Sequence, residues 1–293
     1  MKLPSTTAIV LNGAALLIAG ASLVVVVRSV FIANDTPPCK DRFQHASRLS
    51  LDRNGVAMSL GDLQGQLGNT DWGLMSGGRV VKLKSGPAAF ALELDLATAP
   101  SARRASSPTA NSEGARDDRS GIGFTWAPQS FSKPIAACLS YSVFLPDSFA
   151  FGRGGRLPGF LGTSTLDSEA REPAFSTRLQ WGVNGDTEVQ ADLPGLPEGK
   201  TFSKDRGGFK LERGRWIELE QEIVLNSPGR NDGVIRVWRD GALVLEKKDM
   251  PFRIKPSVMM AGVLAEAVAG EQAPGVTAGA QKIWITPFEL RWQ

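Results

Sequence analysis

Two runs of alternating residues joined by a glycine-containing turn constrain the fold of this chain more than any other feature. Residues 173–182 read PAFSTRLQWG and residues 185–194 read GDTEVQADLP. Side chains of a β-strand point alternately to opposite faces, so each run has one apolar and one polar face. The alternating parts of the two runs are joined through residues 183–185, and Gly185 supplies the positive φ that tight hairpin turns need. The two runs therefore predict an antiparallel hairpin.

A three-residue loop fixes the register of this hairpin. The polar pairs that it predicts are Ser176 with Asp192, Arg178 with Gln190 and Gln180 with Glu188. The opposite face carries the apolar residues Leu179, Trp181, Val189 and Leu193. We therefore expect the apolar face to join the core and the polar face to form the floor of a ligand site.

Short alternating runs also dominate the rest of the chain. Strands are predicted at residues 80–84, 89–96, 121–126, 137–145, 207–211, 215–226, 234–239, 242–246, 257–268 and 282–292. The 32 glycines and 18 prolines supply the many turns between them, and Asp240-Gly241 is typical of a tight hairpin. This pattern predicts an all-β fold, an antiparallel two-sheet sandwich of the jelly-roll type with a concave polar groove.

The strand at 215–226 carries three acidic residues at every second position. Ile217 and Ile223 are predicted to point inward, while Glu218, Glu220 and Glu222 point outward. We interpret these three glutamates as a solvated convex face and not as a catalytic pair of carboxylates.

An apolar run near the N-terminus predicts a membrane segment. Residues 8–27 (AIVLNGAALLIAGASLVVVV) contain no charged residue and are long enough for a helix to cross a bilayer. Arg28 follows directly, which favours a retained signal anchor, and the alternative is a cleaved signal peptide. The expected location is the cytoplasmic membrane, with a single span and the domain on the periplasmic or extracellular side.

This reading divides the chain into three parts. Residues 1–33 form the signal anchor, residues 34–78 a linker and irregular lead-in, and residues 79–293 the β-domain. Residues 97–120 are polar, mixed in charge and free of large apolar side chains, so we expect a mobile loop there.

Cysteine, histidine and charge usage exclude several classes of site. Cys39 and Cys138 are compatible with one disulfide in an oxidising compartment or with two separate buried thiols. His45 is the only histidine, so neither a zinc site nor a Ser-His-Asp triad is supported, and we predict no metal and no cofactor. The net charge of +3 is too small to indicate a nucleic-acid partner.

Four segments follow one another in order from residue 121 onward, GRGGRLPG, FSTRLQWGVNG, VQADLP and GRWIELEQEIVLNSPGRNDGVIRVWRDGALV. The order of these motifs resembles polysaccharide lyase family 14, the alginate-lyase-like family. They match a GGKLPG-type loop, an S-x-R strand followed by Trp, and a W…LN-pG…DG strand pair, while Phe252-Arg253 resembles the late arginine strand. The resemblance implies a jelly roll that acts by β-elimination on an acidic, uronate-containing polysaccharide.

The resemblance also implies a set of site residues. The catalytic positions fall on Arg156, Ser176, Arg178 and Asp192, and the substrate-binding positions on Arg156, Arg178 and Gln190. The polar face of the predicted hairpin adds Gln180 and Glu188 as candidate substrate-binding residues. The loop lysine of the family is replaced by Arg156, and its two tyrosines are replaced by Gln190 and Asp192. An arginine stays protonated and a glutamine does not titrate, so the groups for proton transfer are altered.

The only tyrosine of the chain, Tyr141, alternates with apolar neighbours and is predicted to be in the core.

The sequence leaves three hypotheses for the function of this protein. The protein is a lyase, a non-catalytic binding module for an anionic polysaccharide, or a membrane-tethered structural domain.

Overall fold

The computed structural model describes residues 36–67, 71–96, 121–132, 134–164, 174–197, 200–202, 209–270 and 281–293. The chain divides into two units, Met1–Pro37 and Pro38–Gln293. The predicted membrane segment 8–27 and the predicted mobile loop 97–120 lie outside the described residues. Within the part that is described, no helix has the length and apolarity that crossing a membrane requires.

Two antiparallel sheets make up the second unit. The first, sheet I, has the order β17-β16-β15-β8-β19-β6-β5, and β20 pairs with both β8 and β1. Its strands are β1 (His45–Arg48), β5 (Gly78–Lys82), β6 (Phe90–Asp95), β8 (Ala136–Phe144), β15 (Trp216–Val224), β16 (Gly233–Arg239), β17 (Ala242–Met250), β19 (Lys282–Ile285) and β20 (Glu289–Trp292).

The second sheet, sheet II, has the order β13-β12-β11-β10-β18-β7-β4, with β14 paired to β12 and β9 paired to both β11 and β18. Its strands are β4 (Asp71–Trp72), β7 (Ile122–Trp126), β9 (Gly155–Leu157), β10 (Gly159–Ser164), β11 (Phe175–Trp181), β12 (Asp186–Asp192), β13 (Lys200–Phe202), β14 (Phe209–Lys210) and β18 (Val258–Ala269). A small hairpin of β2 (Asp52–Arg53) and β3 (Val56–Ala57) and three short helices (Cys39–Asp41, Leu60–Gln64 and Leu74–Gly77) complete the described elements.

The predicted all-β antiparallel architecture is confirmed, because the described strands pair antiparallel and the two sheets share one core. Apolar side chains of both sheets form this core, for example Leu139 of β8 and Leu179 of β11. Polar contacts also cross it, for example from Gln221 Nε2 of β15, which donates to Thr177 Oγ1 of β11 at 3.0 Å.

Residues 38–78 are part of the domain, although residues 34–78 were expected to be a linker and irregular lead-in. Strand β1 pairs with the final strand β20 in the register His45 with Trp292. Leu51, Leu63 and Leu74 are each at most 2% exposed and belong to the main core. The weak periodicity of this segment arises because its apolar residues reach the core from short elements.

The prediction of a solvated face is wrong for two of the three glutamates of β15, whereas the side chain of Glu218 is 38% exposed. Glu220 and Glu222 are each 1% exposed. The short helix Cys39–Asp41 lies over this part of sheet I, so Lys40 Nζ is 2.6 Å from a Glu218 oxygen and Arg42 Nη2 is 2.8 Å from a Glu222 oxygen. The alternation was read correctly, but a segment distant in sequence covers the outward face.

A disulfide ties this covering segment to sheet I. Cys39 and Cys138 are joined with an S–S distance of 2.03 Å across a sequence separation of 99 residues. Cys138 lies in β8 and its register partner in β15 is Glu222, so the bond holds the helix directly above the buried glutamates.

Candidate functional site

The predicted register of the central hairpin is confirmed. Strands β11 and β12 pair Ser176 with Asp192, Arg178 with Gln190, and Gln180 with Glu188. Gly185 has φ +78° in the three-residue loop, and a Cβ there would lie 2.7 Å from the Phe151 ring. The polar side chains therefore share the outer face of sheet II, which we call the polar face.

Arg178 is the centre of the polar face. Its Nη1 donates to Asp192 Oδ2 at 2.9 Å and to Ser176 Oγ at 3.1 Å. Its Nε lies 2.5 Å from Glu266 Oε2, as an ion pair. The side chain is only 13% exposed, so the guanidinium is held rigidly between two carboxylates.

Sequence reasoning missed Glu266, which also reaches the second arginine of the site. Arg156 Nη1 lies 3.7 Å from Glu266 Oε2, so one carboxylate bridges two guanidiniums. Strand β9 brings the three residues together because Arg156 pairs with Gln180 of β11 and with Val268 of β18. The only signal for Glu266 was a single acidic residue inside the apolar run 257–268.

The remaining predicted binding residues lie beside Arg178 on the same face. Gln180 Nε2 donates to Glu188 Oε1. Ser176 Oγ donates to Asp192 Oδ2 at 2.9 Å. Gln190 is 8% exposed, and its Oε1 is buried with no hydrogen-bond partner among the described residues. A ligand that offers a donor to Gln190 Oε1 would satisfy this acceptor.

Close packing below the site explains the glycines of the GRGGRLPG loop. A Cβ on Gly155 would lie 2.1 Å from the Trp181 ring and 2.4 Å from the Val268 carbonyl oxygen. Trp181 is 3% exposed and its Nε1 donates to the Phe151 carbonyl at 3.2 Å. These glycines let β9 approach β11 and β18 closely, which places Arg156 next to Glu266.

The side chains that commonly transfer protons lie elsewhere. Tyr141 is 4% exposed, its hydroxyl donates to the Pro158 carbonyl at 3.0 Å, and burial raises the pKa of Tyr141 well above its ordinary value. His45 stacks on Trp292 in sheet I, with ring centroids 5.8 Å apart. Of the titratable side chains placed above on the polar face, only carboxylates are able to act as bases.

Arg253, which resembled the late arginine of the family, follows β17 and has a structural contact. Its Nε donates to the Asn226 carbonyl at 2.8 Å, and its backbone N–H donates to Asn226 Oδ1 at 2.9 Å. Burial lowers the pKa of Arg253 from its ordinary value. The residue is 8% exposed and fastens the segment after β17 to the loop after β15.

One group of possible metal ligands is present among the described residues, and it lies away from the polar face. It consists of Cys39, Cys138 and Glu220, whose ligand atoms are within 4.8 Å of one another. Both sulfur atoms belong to the disulfide, so neither is a thiolate in this structure.

Comparison with protein families gives a match for more than half of the chain. Residues 100–274 match the model of the family described as Polysaccharide lyase 14. A comparison with curated proteins gives no significant match.

Solved structures with a similar fold include three lyases. The PL-14 alginate lyase from Aplysia kurodai is 21% identical, with a TM-score of 0.62 over 86% of this chain and 99% of that one. The alginate lyase from Chlorella virus is 21% identical, with a TM-score of 0.61 over 84% and 99%. The endo-β-1,4-glucuronan lyase from the fungus Trichoderma reesei is 12% identical, with a TM-score of 0.52 over 77% and 91%. At these identities the similarity establishes the shared fold.

Proposed function

This chain belongs to the polysaccharide lyase 14 family, and from that premise we propose that it binds an acidic, uronate-containing polysaccharide on its polar face. The observation that carries the proposal is the pair of guanidiniums, Arg156 and Arg178, bridged by Glu266. Alginate and glucuronan are the substrates in the names of the similar lyases, and both are polymers of uronates. A uronate carboxylate is the group that an arginine fork recognises best.

The donors of Arg178 are positioned before a ligand arrives. The described contacts use its Nε and Nη1 atoms, and a guanidinium carries two further N–H groups on Nη2. Arg156 is 40% exposed and approaches Glu266 with one nitrogen, so it presents donors to solvent. Because the two guanidiniums are already held in place, a polysaccharide carboxylate would bind them without a large loss of side-chain entropy.

Calorimetric titration with polyglucuronate and alginate oligosaccharides tests the proposal. We expect Arg178→Gln to lower the affinity about ten- to hundredfold, which corresponds to the loss of a charge-assisted hydrogen bond. Arg291→Gln is the matched control, because Arg291 is 32% exposed in sheet I and pairs with Glu289. Equal affinity of the wild type and Arg178→Gln for every uronate polymer would rule out binding at this face.

A second candidate function, β-elimination, rests on the contact between Ser176 and Asp192. Elimination removes the proton α to the uronate carboxylate and expels the 4-oxygen, so it requires a base, an electrostatic stabiliser and a proton donor. Asp192 is 34% exposed and lies on the polar face, where it would act as the base and, once protonated, return the proton to the departing 4-oxygen, while Arg178 would stabilise the developing charge. The departure from the family is large, because Arg156, Gln190 and Asp192 replace its lysine and two tyrosines.

Ultraviolet absorbance of the 4,5-unsaturated product distinguishes the two functions. A lyase should release this product from polyglucuronate or alginate. The Asp192→Asn variant should form no product but should still bind the polymer. A wild-type protein that binds but never forms the product is a binding protein.

The location of the protein is also part of this proposal. The apolar run 8–27 followed by Arg28 supports a signal anchor that holds the domain on the outer side of the cytoplasmic membrane, with a role in the cell envelope. A disulfide such as Cys39–Cys138 is typical of oxidising compartments.

Protease added to spheroplasts should digest the domain. Full protection would reverse the orientation, and a mature N-terminus near residue 30 would show a cleaved signal.

A further inference from the structure

Sheet I has a second candidate site on its outer face, opposite to the polar face. A row of three aromatic side chains crosses it, since Phe144 of β8 pairs with Trp216 of β15 on one side and with Trp284 of β19 on the other. The Phe144 ring lies 5.5 Å from the Trp216 ring and 5.7 Å from the Trp284 ring, between centroids. All three are partly exposed.

These rings line a cavity of about 210 Å³ together with Leu83 and Ser85, which we call the aromatic cavity. Trp284 Nε1 donates to Glu93 Oε2 at 3.1 Å, so the orientation of this indole is fixed. A fixed, partly exposed aromatic surface offers a large contact area at little entropic cost.

A second cavity of about 170 Å³ adjoins the first one along the strands, and we call it the polar cavity. Its lining includes Arg48, Ser140, Ser142, Glu218, Thr286 and Glu289. Ser142 precedes Phe144 by two residues on β8, and Glu218 follows Trp216 by two residues on β15. Two residues along a strand span about 7 Å, so the two cavities are neighbours on one face.

The acidic groups of the polar cavity are held in position by other side chains. Lys40 Nζ lies 2.6 Å from Glu218 Oε1, and Arg291 Nε lies 2.6 Å from Glu289 Oε1. Serine hydroxyls complete the lining, and Ser140 and Ser142 are 8% and 7% exposed. The polar cavity therefore presents oriented carboxylates and hydroxyls to a ligand.

We propose that the aromatic cavity and the polar cavity together bind a neutral saccharide. A pyranose has a face of C–H groups that packs on aromatic rings, and it has hydroxyls at its edge that donate to carboxylates in charge-assisted hydrogen bonds. A purely apolar ligand would displace water from Glu218 and Ser142 and offer them no hydrogen bonds in return, which is costly. The two carboxylates of the lining are each paired with a cation, Glu218 with Lys40 and Glu289 with Arg291, so the polar cavity offers no large excess of either charge to a charged ligand. A neutral, hydroxyl-rich ligand therefore suits both cavities.

This site does not depend on the polar face of sheet II, and calorimetry separates the two. The probes are linear hexasaccharides of glucose, mannose and galactose, titrated into the full chain at low and high salt. We expect at least one probe to bind with an affinity that salt does not change, because no ligand charge is involved. Binding of uronate polymers at the polar face should weaken as salt rises.

Two variants test the cavities independently. Trp216→Ala should lower the affinity for the neutral hexasaccharide at least tenfold. Ser142→Ala removes one hydroxyl with almost no change in volume and should lower the affinity for the neutral hexasaccharide several-fold. This second variant keeps the test valid if Trp216→Ala fails to fold. Two control variants in sheet II should leave this affinity unchanged. They are Arg178→Gln and Phe209→Ala, and the latter removes a half-buried aromatic ring from β14.

Three results would overturn the proposal. They are no binding of any neutral hexasaccharide to the wild type, full binding retained in both Trp216→Ala and Ser142→Ala, and self-association that Trp216→Ala abolishes in the absence of saccharide binding. The last result would make this face an interface between copies of the chain.

Discussion

Arg178 Nε and Glu266 Oε2 lie 2.5 Å apart, on strands β11 and β18 that strand β10 separates over part of their length. Glu266 also approaches Arg156, while Asp192 holds the other side of the Arg178 guanidinium. The candidate site is therefore preorganised by internal ion pairs. The same carboxylates compete with any ligand carboxylate, so they adjust the affinity as well as the geometry.

The Arg178–Glu266 pair should contribute to stability as a unit. Both side chains are 12–13% exposed, and removal of one partner leaves a poorly solvated charge. We expect Arg178→Ala to lower the free energy of unfolding by about 2–3 kcal/mol. The double variant Arg178→Ala/Glu266→Ala should lose less free energy of unfolding than the sum of the losses in the two single variants, as measured by chemical denaturation. Additive costs would show that the two residues are not coupled.

Glu266→Gln should strengthen the binding of uronate polymers. Two guanidiniums and three carboxylates (Arg156, Arg178, Glu188, Asp192 and Glu266) share the polar face, so loss of the bridging carboxylate leaves the arginines less neutralised. We expect an affinity increase of about three- to tenfold at low salt, measured by calorimetry.

Glu188→Gln is the matched control for this charge change, because Glu188 accepts from Gln180 and makes no described ion pair. An equal increase in both variants would attribute the effect to net charge alone.

Trp181→Ala should destabilise the domain without a direct effect on the ligand. Trp181 is 3% exposed on the core side of β11, opposite to Arg178. We expect a loss of about 3–5 kcal/mol in the free energy of unfolding. Affinity for uronate polymers should persist at temperatures where the variant is folded. Normal stability with lost binding would contradict the assignment of the two faces.

The disulfide should stabilise the covering segment above β15. Cys39→Ser/Cys138→Ser opens a loop of 99 residues, for which the chain-entropy model gives about 4–5 kcal/mol as an upper figure. Chemical denaturation of the oxidised wild type, the reduced wild type and this variant measures the contribution of the disulfide to the free energy of unfolding. Equal stability of the oxidised and reduced forms would show that Lys40 and Arg42 hold the segment without the covalent bond.

Two glutamates of sheet I should give opposite responses to acid. Hydrogen bonding from Arg236 holds the pKa of Glu246 below its ordinary value, so its contribution to stability is present above pH 4.5 and is lost as the pH falls through its lowered pKa. Burial raises the pKa of Glu220, despite its contacts with Lys40, so its protonation contributes stability that is fully present below pH 4.5 and is lost as the pH rises through its raised pKa.

Compared with the wild type, stability should therefore fall less steeply on acidification in Glu246→Gln and more steeply in Glu220→Gln. Thermal unfolding between pH 7 and about pH 2 measures both slopes, because the Glu246 contribution is lost below pH 4.5. Identical slopes in the two variants would contradict these assignments.

The sequence alone determined the faces and the register of the central hairpin. Side chains alternate along a strand and a three-residue loop fixes which residues oppose each other, so Ser176, Arg178, Gln190 and Asp192 were assigned correctly from local information. The motif order from residue 121 onward also indicated the family that residues 100–274 match.

Only the tertiary structure decided what lies on each outer face. Glu266 reaches Arg178 because β9 and β10 bring β18 close to β11, and Lys40 covers Glu220 because a disulfide fastens a distant segment there. Alternation reports the direction in which a side chain points, but it contains no information about which distant residue packs against it. For this reason the buried glutamates of β15 were read as solvated, and the bridging glutamate of β18 was read as part of an apolar strand.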